Sequence, residues 1–329
     1  MSNAPMHARM LFASQDNAVI ALSQASGMLK PPEPDPLNTI ALQADSDPTA
    51  IRKMSDELTN GAIRLKDGSR SLGNAVRMMV AAWKGRRHLA WASHAGTVMD
   101  YYDPALFSRG RTGVRGLVEK TAEATAAIGV DLDTSTTAVA DGLISFAGAV
   151  LRSSTAVIDG RATPEDELYV RQAVTNTQSL LGEFEQTVAA IDQKRLVAAK
   201  LVSLLEFSDE GGGMPNDPTE DNLLSIQFAE FGDALTQLDM SATQASLASE
   251  DLTAASKITG FDGRSPFGTS IAAIGLQVSW AMTVAWRISE SNEVQIQTQK
   301  LKTVAQEARD DYLEVEQRNV DSFRMIYPD

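Results

Sequence analysis

The chain has 329 residues, a formal charge of −14 from 29 Lys and Arg against 43 Asp and Glu, and no cysteine. That charge opposes phosphate backbones and anionic membranes, so no nucleic-acid partner is expected; the missing thiols exclude disulfides, zinc–thiolate and iron–sulfur centres and cysteine nucleophiles. Hydrophobic residues at 43% suit a folded core, while aromatics at 6% among many alanines and serines point to helices packed through small residues.

The amino-terminal stretch is interrupted by Gln15, Asp16 and Asn17 and has neither an unbroken apolar run nor a small-residue cleavage site, so no secretory signal peptide is expected. Helical periodicity over residues 7–30 predicts one helix, ended by the prolines of 31–36. Asp47 followed by Pro48 reads as a cap and first helical position, because the N–H that proline lacks would be unpaired there. The apolar stripe Ile51, Met54, Leu58, Ala62, Leu65, Leu72, Val76, Val80 and Trp83 then predicts a one-faced helix of about nine turns.

Trp83-Lys84-Gly85 reads as a reversal into a second helix over 86–102, stopped by Pro104. The cluster Lys84, Arg86, Arg87 and His88 reads as a solvated helix start. After a loop over 107–113, helical periodicity resumes near Val114 and runs towards Gly160. Thr163, Pro164 and the acidic residues 165–167 mark another start, for a helix expected to reach Phe207.

Residues 208–222, with three successive glycines and two prolines, read as a linker. Beyond it, Leu224, Phe228, Phe231, Leu235, Leu238, Ala242 and Ala245 form a helical stripe ending near Ile258. A loop carrying Phe261-Asp262-Gly263 follows, and from Thr269 the pattern is helical until Pro328. Such a helix spans roughly 80 Å and needs an equally long neighbour. Strand-like alternation is nearly absent. The expected fold is all-α, an elongated bundle of long antiparallel helical hairpins. Its expected parts are a helix and Pro-rich linker (1–36), a bundle (37–207), a linker (208–222) and a long C-terminal hairpin (223–329). No stretch reaches about 18 uncharged apolar residues. The nearest, 271–286, carries Gly275, Gln277, Ser279 and Thr283, so no membrane span is expected.

Two segments share one plan: a long helix, a tight glycine turn with an aromatic, then another long helix. The turns are Trp83-Lys84-Gly85 and Phe261-Asp262-Gly263, where the aromatic can wedge between helices and glycine permits the reversal. In these features the chain resembles the small secreted W-x-G helical hairpins exported by type VII secretion in actinobacteria and related Gram-positive bacteria. The resemblance covers about 48–102 and 219–326. It implies a Y-x-x-x-D/E export signal near the end of the second helix, and Tyr312-Leu313-Glu314-Val315-Glu316 stands there, with Tyr312 and Glu316 on one helix face. The chain departs from the family in carrying Phe261 for Trp at the second turn, in its much greater length, and in the extra segment 160–207.

Other constellations do not assemble. His88 and His94 lie about 240° apart around a helix and cannot share one metal, and His7 is remote in sequence. Asp131, Asp133 and Ser135 lack the glycine and glutamate of a calcium loop, since Thr136 and Gly142 stand there. No catalytic or nucleotide-binding motif appears, and Gly211 to Gly213 lead into Met-Pro. No enzymatic activity, cofactor or metal is expected.

The leading expectation is a non-enzymatic secreted or secretion-associated protein of type VII-like secretion, cytoplasmic before export. Tyr312 and Glu316 would be its export signal, offered to a secretion ATPase or a helical partner, with Trp83, Gly85, Phe261 and Gly263 shaping the turns. Two alternatives stay open. One is an oligomeric scaffold, such as a phage or cell-envelope component, in the cytoplasm; the other is a helical sensor with a buried pocket.

Overall fold

A computed structural model describes residues 7–103, 112–200 and 225–326. The linker expected at 208–222 and the helix end expected near 207 lie outside the described residues, as does most of the loop expected at 107–113.

The fold is all-α. The helices are α1 (Ala8–Gln15), α2 (Asn17–Met28), α3 (Pro48–Ala82), α4 (Arg86–Tyr102), α5 (Val114–Ala149), α6 (Leu151–Ile158), α7 (Pro164–Ile191), α8 (Val197–Ala199), α9 (Phe228–Lys257) and α10 (Ile271–Ile326). Wide helical turns occupy Leu37–Ala41 and Asp192–Leu196, and a tight one Phe261–Gly263. Two short strands, β1 (Trp83–Lys84) and β2 (Ser225–Ile226), pair antiparallel.

Local chemistry sets the helix starts. Asp47 accepts from the Ala50 amide at 2.9 Å with Pro48 as the first residue of α3. Thr163 and Asp166 form a reciprocal capping box at the start of α7. The helix expected over 7–30 is two helices, because Asp16 adopts an extended backbone and its carboxylate accepts from the Ala18 and Val19 amides, starting α2 afresh. Likewise the stretch from Val114 breaks at Val150 and bends by 65° into α6.

The chain divides into two compact units. Unit 1 comprises Met1–Glu57, Lys120–Lys200 and Ala254–Val284; unit 2 comprises Leu58–Glu119, Leu201–Thr253 and Ala285–Asp329. The divisions fall inside α3, α5, α9 and α10, so each of these helices contributes to both cores.

In unit 1, Val19, Leu22 and Ala25 of α2 pack with Leu143 and Ala147 of α5, Val157 of α6, and Val170 and Val174 of α7. Three buried polar groups pair across elements: Ser55 donates to the Ala122 carbonyl at 3.0 Å, Thr136 to the Ala44 carbonyl at 2.9 Å, and the Trp280 indole to Thr125 at 2.9 Å. A stretch of α10 is long and apolar enough to cross a membrane by length and composition, and 33% of it is buried inside the protein.

In unit 2 the buried residues include Leu65, Leu72 and Met79 of α3, Trp91 and Val98 of α4, Leu235 and Leu238 of α9, and Val294 and Leu301 of α10. Gly61 brings α3 close to α9: a Cβ there would lie 3.3 Å from the Leu252 side chain. Arg287 is fully buried and its guanidinium meets Glu290 at 2.9 Å. Burial holds Arg287 below the usual arginine range despite that carboxylate.

Candidate functional site: the W-x-G turn and the Tyr312 face

Ala82 ends α3, and the chain runs extended through Trp83 and Lys84 before α4 begins. Trp83 pairs with Ile226 and Lys84 with Ser225, and the Gln227 amide donates to the Ala82 carbonyl at 2.8 Å. Gly85 has φ 131° and ψ 177°, a conformation a side chain would strain, and it caps α4. The turn that the sequence placed here therefore forms, with an added clamp: two residues just before α9 pair with it.

Trp83 is fully buried. Its ring lies 5.8 Å from Phe231 in an edge-to-face arrangement, 6.1 Å from Trp91 and 5.7 Å from His88. Trp91 donates its indole N–H to the Leu301 carbonyl at 2.9 Å, whereas Nε1 of Trp83 has no acceptor among the described residues. Burial lowers the pKa of His88 beside this cluster. His94 is lowered too, chiefly by burial, although Gln297 hydrogen-bonds it.

The final helix comes to the same place. Tyr312 stacks obliquely on Phe228, ring centres 5.8 Å apart, and Arg87 of α4 meets Asp311 at 2.6 Å. Tyr312 is half-buried and Glu316 exposed. The phenol of Tyr312 hydrogen-bonds Glu316, and burial first, then that carboxylate, pushes its pKa above the ordinary range. Unit 2 thus gathers Trp83, Gly85, Tyr312 and Glu316 around the start of α9. Phe228, Phe231 and the Arg87–Asp311 pair join them. The sequence marked both phenylalanines only as helix stripe, and Arg87 only as solvated; aromatics three apart at a helix start were the available signal.

Phe261 and Gly263 belong to unit 1. Gly263 has φ 76° and Asp262 φ 52°, so the second turn also uses left-handed backbone. Phe261 is half-buried, and the aromatic wholly enclosed there is Phe267, 5.9 Å from the Trp280 ring. Phe261 instead lines a shallow open depression with Asp45, Asp47, Arg264 and Thr269. Asp45 accepts from the His7 amide at 2.9 Å, and its pKa is pushed up to about 6, mainly by burial. His7 also bonds Asp133 at 2.6 Å.

Among the described residues, no three His, Asp or Glu are grouped so as to hold a metal. What the unit 2 site offers chemically is a partly exposed pair of aromatic rings, Phe228 and Tyr312, bordered by the carboxylates of Asp311 and Glu316. Comparison with known protein families, characterised sequences and solved structures returns no match.

Proposed function

We propose that this chain is a secreted or secretion-associated protein of a type VII-like system, exported through recognition of the surface around Tyr312 and Glu316. The observation that carries the reading is the convergence, in unit 2, of a glycine turn holding a buried tryptophan with a Y-x-x-x-E segment of the final helix. The two are far apart in sequence, yet Arg87, four residues from Trp83, pairs with Asp311, the neighbour of Tyr312. The hydrogen bond from Tyr312 to Glu316 fixes both side chains of that motif relative to each other. A partner helix or secretion ATPase would bind by covering Phe228 and Tyr312 and pairing with the exposed carboxylates.

The test is secretion in the native host, scored in culture filtrate with a lysis control. The reading expects wild type outside the cell and Tyr312→Ala and Glu316→Ala retained inside at normal abundance. Wild type that never leaves, or variants that leave equally well, would overturn it.

A further inference from the structure

We propose that the contact between α4 and α10 in unit 2 is a proton-sensitive seam, closed while His88 and His94 are neutral and loosened when both are charged. Three contacts set its register. Arg87 of α4 meets Asp311 of α10 at 2.6 Å, the Trp91 indole donates to the Leu301 carbonyl at 2.9 Å, and His94 hydrogen-bonds Gln297. Positions on α10 fall as those on α4 rise, so the two helices run antiparallel. Steps of three and four residues keep Arg87, Trp91 and His94 on one face of α4. Val98 of α4 and Val294 of α10 are fully buried and extend the two faces.

Both histidines are half-buried. The His88 ring lies 5.7 Å from that of Trp83, and its Nε2 has no partner among the described residues. What the seam lacks is an anion for either ring. Asp311 of α10 is engaged by Arg87, and Glu293 of α10 accepts from Gln297 at 2.6 Å. Lys300 of α10 is a cation acting on His94, while Lys84 and Arg87 flank His88 along the chain. Among the described residues no charge of α3 or α9 acts on either ring, Glu230 at the start of α9 included. A proton taken up here creates a partly desolvated cation beside other cations, with no carboxylate to compensate it.

The direction of the response follows from the same surroundings. Burial lowers both histidines below 6.5; at His94 the Gln297 bond opposes that shift and Lys300 adds to it. A lowered histidine gives its full stabilisation above its unfolded value, and loses it as pH falls through 6.5 towards the folded value. The two losses act on one helix, whose contacts with α10 are those listed by residue above. Because the seam carries the Arg87–Asp311 pair, loosening it separates the Trp83 turn from the Tyr312 face. That last consequence, acid control of the recognition surface, rests on the function proposed above; the seam's response to protons does not.

The test is amide exchange of the full chain, read by mass spectrometry at about pH 7.5 and about pH 5.5, with each rate corrected for intrinsic chemistry. In wild type, protection of α4 and of residues 290–312 should fall severalfold at the acid pH, while α2 and α7 of unit 1 hold theirs. The double variant His88→Gln, His94→Gln should keep its protection in acid. Lys300→Glu, at an exposed position that leaves the fold intact, gives His94 a counter-ion and should shrink the response. Equal protection of the seam at both pH values in wild type would overturn the proposal, as would losses in both variants as large as in wild type. Exchange is read on the purified chain, so a responsive seam in a chain that is never exported would support this inference and overturn the export reading alone.

Discussion

Trp83 and Trp91 are both fully buried, adjacent, and differ in one respect that a single substitution isolates. The Trp91 indole N–H donates to the Leu301 carbonyl at 2.9 Å; that of Trp83 has no acceptor among the described residues. Trp→Phe removes the N–H and part of the ring at each site. The lost volume costs about 1–2 kcal/mol in either place, below the larger loss of Trp→Ala. At Trp91 the hydrogen bond adds about 1 kcal/mol to that cost. At Trp83 the substitution instead removes an unpaired buried donor, whose desolvation costs about 1–3 kcal/mol, and so offsets the lost volume. Trp91→Phe should therefore destabilise by about 2–3 kcal/mol, and Trp83→Phe by no more than about 1 kcal/mol. The assay is urea unfolding followed by circular dichroism at the helical band, with the denaturant slope checked for constancy. A Trp83→Phe variant as costly as Trp91→Phe would refute the assignment of the unpaired N–H.

Other substitutions perturb separate parts of the fold. Gly68→Ala places a methyl group against the buried Tyr102 hydroxyl and should cost about 1–3 kcal/mol; Tyr102→Phe in the same chain should recover part of it, measured by the same unfolding assay. Thr163→Ala breaks the capping box of α7 and should cost about 1 kcal/mol, with faster amide exchange in the first turn of that helix. Asp45, with His7, Arg264 and Asp47 around it, is raised in the fold from 3.8 to about 6. A raised acid favours the fold fully below its unfolded value, and that contribution falls away as pH rises from about 4 to about 6. Asp45→Asn should flatten stability across that window; an unchanged pH profile would contradict the burial argument.

The legible parts of the fold are those with local causes. Asp47-Pro48 and Thr163-Pro164 announced their helices because cap and first turn lie within a few adjacent residues. Gly85 announced its turn because only its backbone conformation was at issue. The breaks at Asp16 and Val150 were not legible. Asp16 can cap a helix or sit within one, and Val150 carries no turn residue; α6 bends where it packs against α2 and α7. Tyr312 and Trp83 were singled out in the sequence by their spacing to Glu316 and Gly85. Their shared surroundings were not, because Trp83–Phe231, Phe228–Tyr312 and Arg87–Asp311 each join residues remote in sequence. The enclosure of Phe267 rather than Phe261 has the same origin: two aromatics of similar apolarity flank one turn, and only the position of Trp280 distinguishes them.

We propose that the W-x-G turn and the Tyr312 face act as one recognition surface, and the Arg87–Asp311 pair that joins them allows a direct measurement. Arg87 is mostly enclosed, at 18% exposure against 46% for Asp311, so each variant should first be shown to keep the wild-type circular-dichroism spectrum and melting temperature. Export should be measured for Arg87→Asp, for Asp311→Arg, and for the exchanged double variant. The account predicts reduced export for each single variant and recovery in the double; single variants exported as efficiently as wild type, or a double variant no better than either, would contradict it.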